Sequence, residues 1–180
     1  RKSAEPTKSA QAKVDDLRAH YKNTYETAKA VKGMRIKKAI RYYENVLEHK
    51  QIIPFRRHLK GSGRNTQAKE FKCVFGGWPE KSVKKMHSLL KNLQSNAEAK
   101  GLDTERCVIT NVVVQRAAQG RRRTYRAHGR ISPYKSSNCH VQFYLTEKAQ
   151  GVKKAEKVGV RLTKRQAGQQ RLAIGGGSSC

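Results

Sequence analysis

The chain has 180 residues, 40 of them Lys or Arg against 13 Asp or Glu, for a formal net charge of +27 and a sequence pI near 10.4. Charge at that density repels a compact fold unless an anion neutralises it, so basic residues in every region read as a nucleic-acid footprint rather than a pocket for a small acidic substrate. No apolar run approaches the roughly 18–20 residues of a bilayer span, no secretory signal is visible, and the four cysteines (Cys73, Cys107, Cys139, Cys180) contain no CxxC pair, which argues against a zinc ribbon and for reduced thiols.

The hydrophobic share of 36% limits the core to about 100 residues. The chain opens on Arg1 rather than methionine, which leaves the true start open. Residues 1–13, RKSAEPTKSAQAK, are polar and pattern-free, an extended basic arm ordered only by a partner. Leu17, Ala19 and Tyr21 alternate as in a short strand. Asn23 followed by Glu26 has capping-box spacing, so a short helix is expected from there to Gly33. In residues 36–47 the positions Ile36, Ala39, Ile40, Tyr43, Val46 and Leu47 fall on one helical stripe.

From Pro54 to Gly77 the pattern dissolves into a long basic loop with six Lys/Arg and one carboxylate, Glu70. A structureless connection of that length signals function or an ordering partner. Pro79 then opens a third helix through Val83, Met86, Leu90, Leu93 and Ala97, closed by Gly101. Trp78 is expected to staple that helix to the core rather than to stack on a base. CVITNVVVQ from Cys107 and CHVQFYLT from Cys139 read as paired antiparallel strands. Cys107 and Cys139 can then stand opposite one another, although two small buried side chains is the preferred reading. The segment between them forms either a loose loop or a narrow ribbon extending both strands.

From residue 106 to residue 146 there are eight Lys/Arg and no carboxylate, so the expected ribbon cannot neutralise itself and must sit in polyanion. Arg121, Arg122, Arg123, Arg126 and Arg130 supply planar forks that match phosphate oxygens, while Gly120 and Gly129 permit close approach or a sharp turn. Tyr125 and His128 are candidates to stack on unpaired bases. Arg56, Arg57, His58, Lys60 and Arg64 form a second phosphate-facing cluster in the loop. The tail, residues 147–180, is a basic extension in which VRLTKRQAGQQRLAI has helical potential on a phosphate surface.

Nothing assembles for catalysis: GSGR at 61–64 lacks the Walker spacing and lysine, the histidines form no metal-binding pair, and His128 has no carboxylate nearby to orient it as a nuclease base. No enzyme activity, cofactor or protein-bound metal is expected; Mg²⁺ would belong to the RNA. A free DNA- or chromatin-binding basic protein is the alternative from another class, since it shares the charge, but it has no need of a carboxylate-free ribbon flanked by apolar strands.

KNTYETAKAVKG (22–33), IPFRRH (53–58), GGWPEKS (76–82), SNAEAKGLD (95–103) and above all RRRTYRAHGRI (121–131) occur in one order, and over residues 6–148 the chain resembles the universal large-subunit ribosomal protein family numbered twenty-two in bacteria and seventeen in eukaryotes, in its cytosolic eukaryotic form. The resemblance implies an α+β fold: three helices packed on a small antiparallel sheet, one long extended β-hairpin, and basic N- and C-terminal extensions. It places a globular domain over residues 14–146, the hairpin at about 107–146 and its tip at about 119–127, so that Gly120, Arg121, Arg122, Arg123, Thr124, Tyr125 and Arg126 form the tip and His128, Gly129 and Arg130 lie on the returning strand. It further implies ribosomal RNA and neighbouring ribosomal proteins as partners, a hairpin tip lining the nascent-peptide tunnel against the emerging polypeptide, no homo-oligomer, and a cytoplasmic ribosome assembled in the nucleolus. The sequence departs from the family at AAQG (117–120) and at Asn138, where a proline is common.

Overall fold

A computed structural model describes residues 8–148 and 162–175. The chain divides into two compact units, Arg1–Lys148 and Ala149–Cys180. In the first, β1 (Ser9–Leu17), β7 (Cys139–Glu147) and β4 (Cys107–Arg116) form an antiparallel sheet in the order β1-β7-β4. The helices α1 (Tyr21–Ala30), α2 (Ile36–Leu47) and α3 (Glu80–Ala99) pack together with it.

The middle strand shows why the sheet forms. Cys139, Val141, Phe143 and Leu145 recur at the two-residue period of a strand and are all fully buried. They meet Ile109 and Val112 of β4 and the helical stripe of Ile36, Ala39, Tyr43 and Val46 in one core. Each large side chain removed from water contributes roughly 1.5–3 kcal/mol, and this core holds the body together. Ile40 and Leu47, the outer members of the stripe, are half-buried, and Tyr42 takes a core place instead.

Two N-terminal expectations need correction. The arm assigned to residues 1–13 is in the sheet from Ser9, since Ser9 pairs with Thr146 and Val14 with Val141. An open edge of β7 offers unpaired backbone groups that must be satisfied, and Ala10 and Ala12 are small enough to lie beneath α3, where Asn96 of the helix and Lys100 at its C-terminal cap donate to the Gln11 and Ser9 carbonyls. Residues 1–7 lie outside the described residues. The short strand expected at residues 17–21 is instead the end of β1 and a turn into α1, and the pairing slips between Val14 and Leu17, where Asp16 adopts φ 45°. The Asn23–Glu26 capping box is also absent. His20 caps α1 through Nδ1, which accepts from Lys22 N–H at 3.2 Å, while the Glu26 carboxylate turns elsewhere.

The loop from Pro54 to Gly77 is ordered by its own contacts. Ile53–Pro54 (β2) pairs with Gly76–Gly77 (β3), and a 3-10 helix over Thr66–Phe71 starts at Asn65, whose side chain accepts from Gln67 N–H. Gly76 permits the pairing, because a Cβ there would stand 3.0 Å from the Ile53 carbonyl oxygen and 2.8 Å from Ile52 Cδ1. Pro79 precedes α3 as its cap residue, and Trp78 donates from Nε1 to the Gln51 carbonyl at 2.9 Å while packing against the core. Cys107 faces Glu147 and Cys139 faces Arg116, so the two thiols do not meet across the strands. Both are buried and free, and burial pushes both thiols up.

The second unit contains α4 (Lys164–Gly175), whose first turn is closed by a reciprocal cap: Gln166 N–H donates to Thr163 Oγ1 and Thr163 N–H to Gln166 Oε1. Residues 149–161 and 176–180, the rest of the basic tail, lie outside the described residues. Among the described residues no helix is long and apolar enough to cross a membrane.

Candidate nucleic-acid interface

Past the sheet, the chain leaving β4 and the chain entering β7 remain paired in segments. Arg116 faces Cys139, Ala117 N–H donates to Asn138 O, and then the register slips by one before Gly120 bridges Ser136. Ser137 sits at the slip and gives its carbonyl to Tyr21 N–H at 3.0 Å, so a ladder acceptor is diverted to the start of α1. Pairing resumes with Tyr134 N–H to Arg122 O at 2.7 Å and with β5 (Arg123–Tyr125) against β6 (Ile131–Pro133). Gly120 leaves room at the bridge for the Ser136 hydroxyl, which would have to turn away from a Cβ at this position.

The turn itself lies further along than 119–127. Arg126 N–H donates to Arg130 O at 2.8 Å, enclosing Ala127, His128 and Gly129, with His128 at φ 59° and Gly129 at φ 68°. His128 and Gly129 therefore form the turn rather than the returning strand, and Arg121, Arg122 and Arg123 lie on the outgoing side. Two left-handed residues in succession reverse the chain, and one must accept that conformation without being glycine. Tyr125 and Ile131 face each other and are 76% and 56% exposed, an apolar pair set among guanidinium groups. Arg122 packs 4.9 Å from the Tyr134 ring centre. Arg121, Arg123, Arg126 and Arg130 are exposed, and among the described residues no ribbon cation forms an ion pair.

The loop cluster is held differently. Glu26, buried in α1, accepts the backbone N–H of Arg56 (3.1 Å), Arg57 (3.0 Å) and His58 (2.8 Å). The carboxylate anchors the main chain and leaves the Arg56 and Arg57 side chains exposed. Arg57 donates to Tyr25 Oη at 3.4 Å and lies 5.3 Å from that ring's centre, and Arg56 donates to Phe71 O. The His58 ring meets Tyr25 and Tyr21 edge-on at 5.4 and 5.8 Å. Lys60 and Arg64 are exposed; Arg64 pairs its backbone with Phe75 rather than joining Arg56 and Arg57 through a side-chain contact.

Three participants escaped the sequence reading. Tyr21 and Tyr25 flank His58, and Arg116 lies 4.9 Å from the Tyr21 ring. The signal was the spacing Tyr21, Tyr25, Lys29, one residue per turn on a single face of α1. Glu26 was visible as a capping carboxylate, but its loop partners are about 30 residues away and local spacing cannot show them.

The family model described as ribosomal protein L22p/L17e matches residues 12–146, spanning β1 to β7 with the ribbon inside it. The chain belongs to this family. The L22p/L17e match leaves out α4. Curated relatives named large ribosomal subunit protein uL22 are similar along most of their length. The Suberites domuncula protein is 55% identical over 84% of this chain and 80% of its own. The Ixodes scapularis protein is 53% identical over 84% of each, and the Podocoryna carnea protein 54% over 84% and 82%. L22p/L17e members are ribosomal structural proteins, not enzymes.

Proposed function

We propose that the chain is a structural constituent of the large ribosomal subunit whose exposed ribbon and Arg56–Arg57–His58 loop bind ribosomal RNA. The observation that carries this reading is the stretch 116–138, with seven Lys/Arg, no carboxylate and no internal anion among the described residues. Cations held on a thin ribbon attract phosphate from both sides, and each neutralised phosphate releases counterions. Arg121, Arg122, Arg123, Arg126 and Arg130 grip the backbone, Gly120 and Gly129 allow close approach, and few contacts need to read bases. The ribbon acts as one long hairpin within RNA. Thr124, Tyr125, Arg126 and His128, nearest its turn, line the path of the nascent polypeptide. Other large-subunit proteins adjoin the body, and the site of action is the cytoplasmic ribosome after nucleolar assembly.

Sedimentation of cell extract in Mg²⁺ tests the first part. Co-migration with large subunits is expected; recovery with chromatin would favour the rival basic-protein reading. Photocrosslinking from residue 125 on translating ribosomes tests the second part, with adducts to both RNA and nascent peptide expected.

A further inference from the structure

On the reading that this chain lies on ribosomal RNA, we infer that the groove between α1 and the Arg56–Arg57 segment is a pocket for one unpaired RNA nucleotide. The groove has a volume of about 380 Å³. Its floor is apolar, made by Ala30, Met34 and Phe71, and Tyr25 forms one wall. Around it stand Lys29, Lys32, Arg56 and Arg57. None of these four forms an ion pair among the described residues, and the one carboxylate at the groove, Glu26, is already committed to three loop N–H groups.

That combination selects its occupant. A phosphate ridge of duplex RNA is satisfied by a flat array of cations and leaves an apolar floor exposed. A base turned out of its stack has an apolar face to cover the floor and carries its phosphates to the rim. Arg57 lines the groove and suits both tasks, with its guanidinium against the Tyr25 ring and donors beyond the one it gives to Tyr25 Oη. Glu26 makes the pocket rigid by fixing residues 56–58 before RNA arrives, which lowers the ordering cost of binding.

The test uses full-length chain assembled into large subunits, with p-benzoylphenylalanine at exposed Lys32 and, in separate chains, at Tyr125. Crosslinks from position 32 should fall on one or two nucleotides of the subunit RNA. Ala30→Trp fills the floor and keeps the three remaining cations, Lys29, Arg56 and Arg57, in the chains that carry the probe at position 32; it should lower that yield about tenfold, the scale of one lost stacked base, and leave the position 125 crosslink unchanged. If Ala30→Trp subunits do not accumulate, Ala30→Leu is read the same way. An undiminished yield would mean that only phosphates bind, and a crosslink to an acidic protein segment or to nothing would remove the pocket; either result overturns the inference while the ribosomal reading stands. Absence of the chain from large subunits would overturn both.

Discussion

The loop at residues 56–58 and the ribbon at residues 121–130 carry similar side chains on opposite kinds of support. In the loop, one buried carboxylate takes three consecutive main-chain N–H groups, so the backbone is fixed from within and the guanidinium groups are held outward. In the ribbon, the strands pair with each other, the ladder slips near its root, and the cations find an aromatic ring at Tyr134 but, among the described residues, no acid. A folded body can shape a cationic surface in advance where it can spare an internal anion. Beyond the reach of the core the same charge has no internal remedy, and the partner supplies it.

Removing the loop's anchor should break this contrast most. Glu26→Ala leaves three N–H groups without their charged acceptor and is expected to cost about 3 kcal/mol, read as a lower urea midpoint together with faster amide exchange at residues 56–58 and unchanged exchange in β5 and β6. Gly76→Ala comes next. Its Cβ meets the Ile53 carbonyl and the Ile52 side chain, for an expected loss of about 2 kcal/mol by overpacking, measurable by thermal unfolding.

Alkaline titration sharpens the comparison through two buried tyrosines of the body. Burial, and secondarily Glu70, holds the Tyr42 hydroxyl far above the ordinary phenol range, and burial followed by Tyr42 does the same to Tyr43. Their folded values exceed the unfolded value near 10, so the stability they give is complete below about pH 10 and is lost as pH rises past it. Unfolding in urea at increasing pH should show that decline, and Tyr43→Phe should flatten it. Smallest for stability are Arg121→Gln, Arg123→Gln and Arg126→Gln, each within about 0.5 kcal/mol. On RNA the same variants should each reduce the slope of log affinity against log salt by about one. A ribbon arginine whose loss destabilised the free chain by several times that amount would end the distinction.

The body was legible where periodicity carries the information: the α2 stripe, the α3 repeat and the alternation of β7 all mark the faces that are buried. Segments stabilised by distant partners were not. The first half of β1 resembles a polar arm because its inward residues there, Ala10 and Ala12, are only alanines, and its strand character comes from β7, at the other end of the body. Glu26 imitates a helix cap locally and serves a loop far along the chain. The ribbon's charge was plain in the sequence, but its turn was displaced because a run of arginines looks like a tip, whereas chain reversal needs left-handed residues, supplied by His128 and Gly129.

The pairing of Ser9 with Thr146 also sets an order of events during synthesis. β1 leaves the ribosome that makes this chain well before β7 and has no place to dock until β7 has been translated, because β7 is the neighbour of both β1 and β4. For most of its birth the nascent body exposes sheet edges and the inward face of α3, a long-range arrangement that closes late and slowly. A strongly basic newborn chain in that condition attracts any nucleic acid nearby, so an acidic escort that shields it until its final strand appears would suit its chemistry.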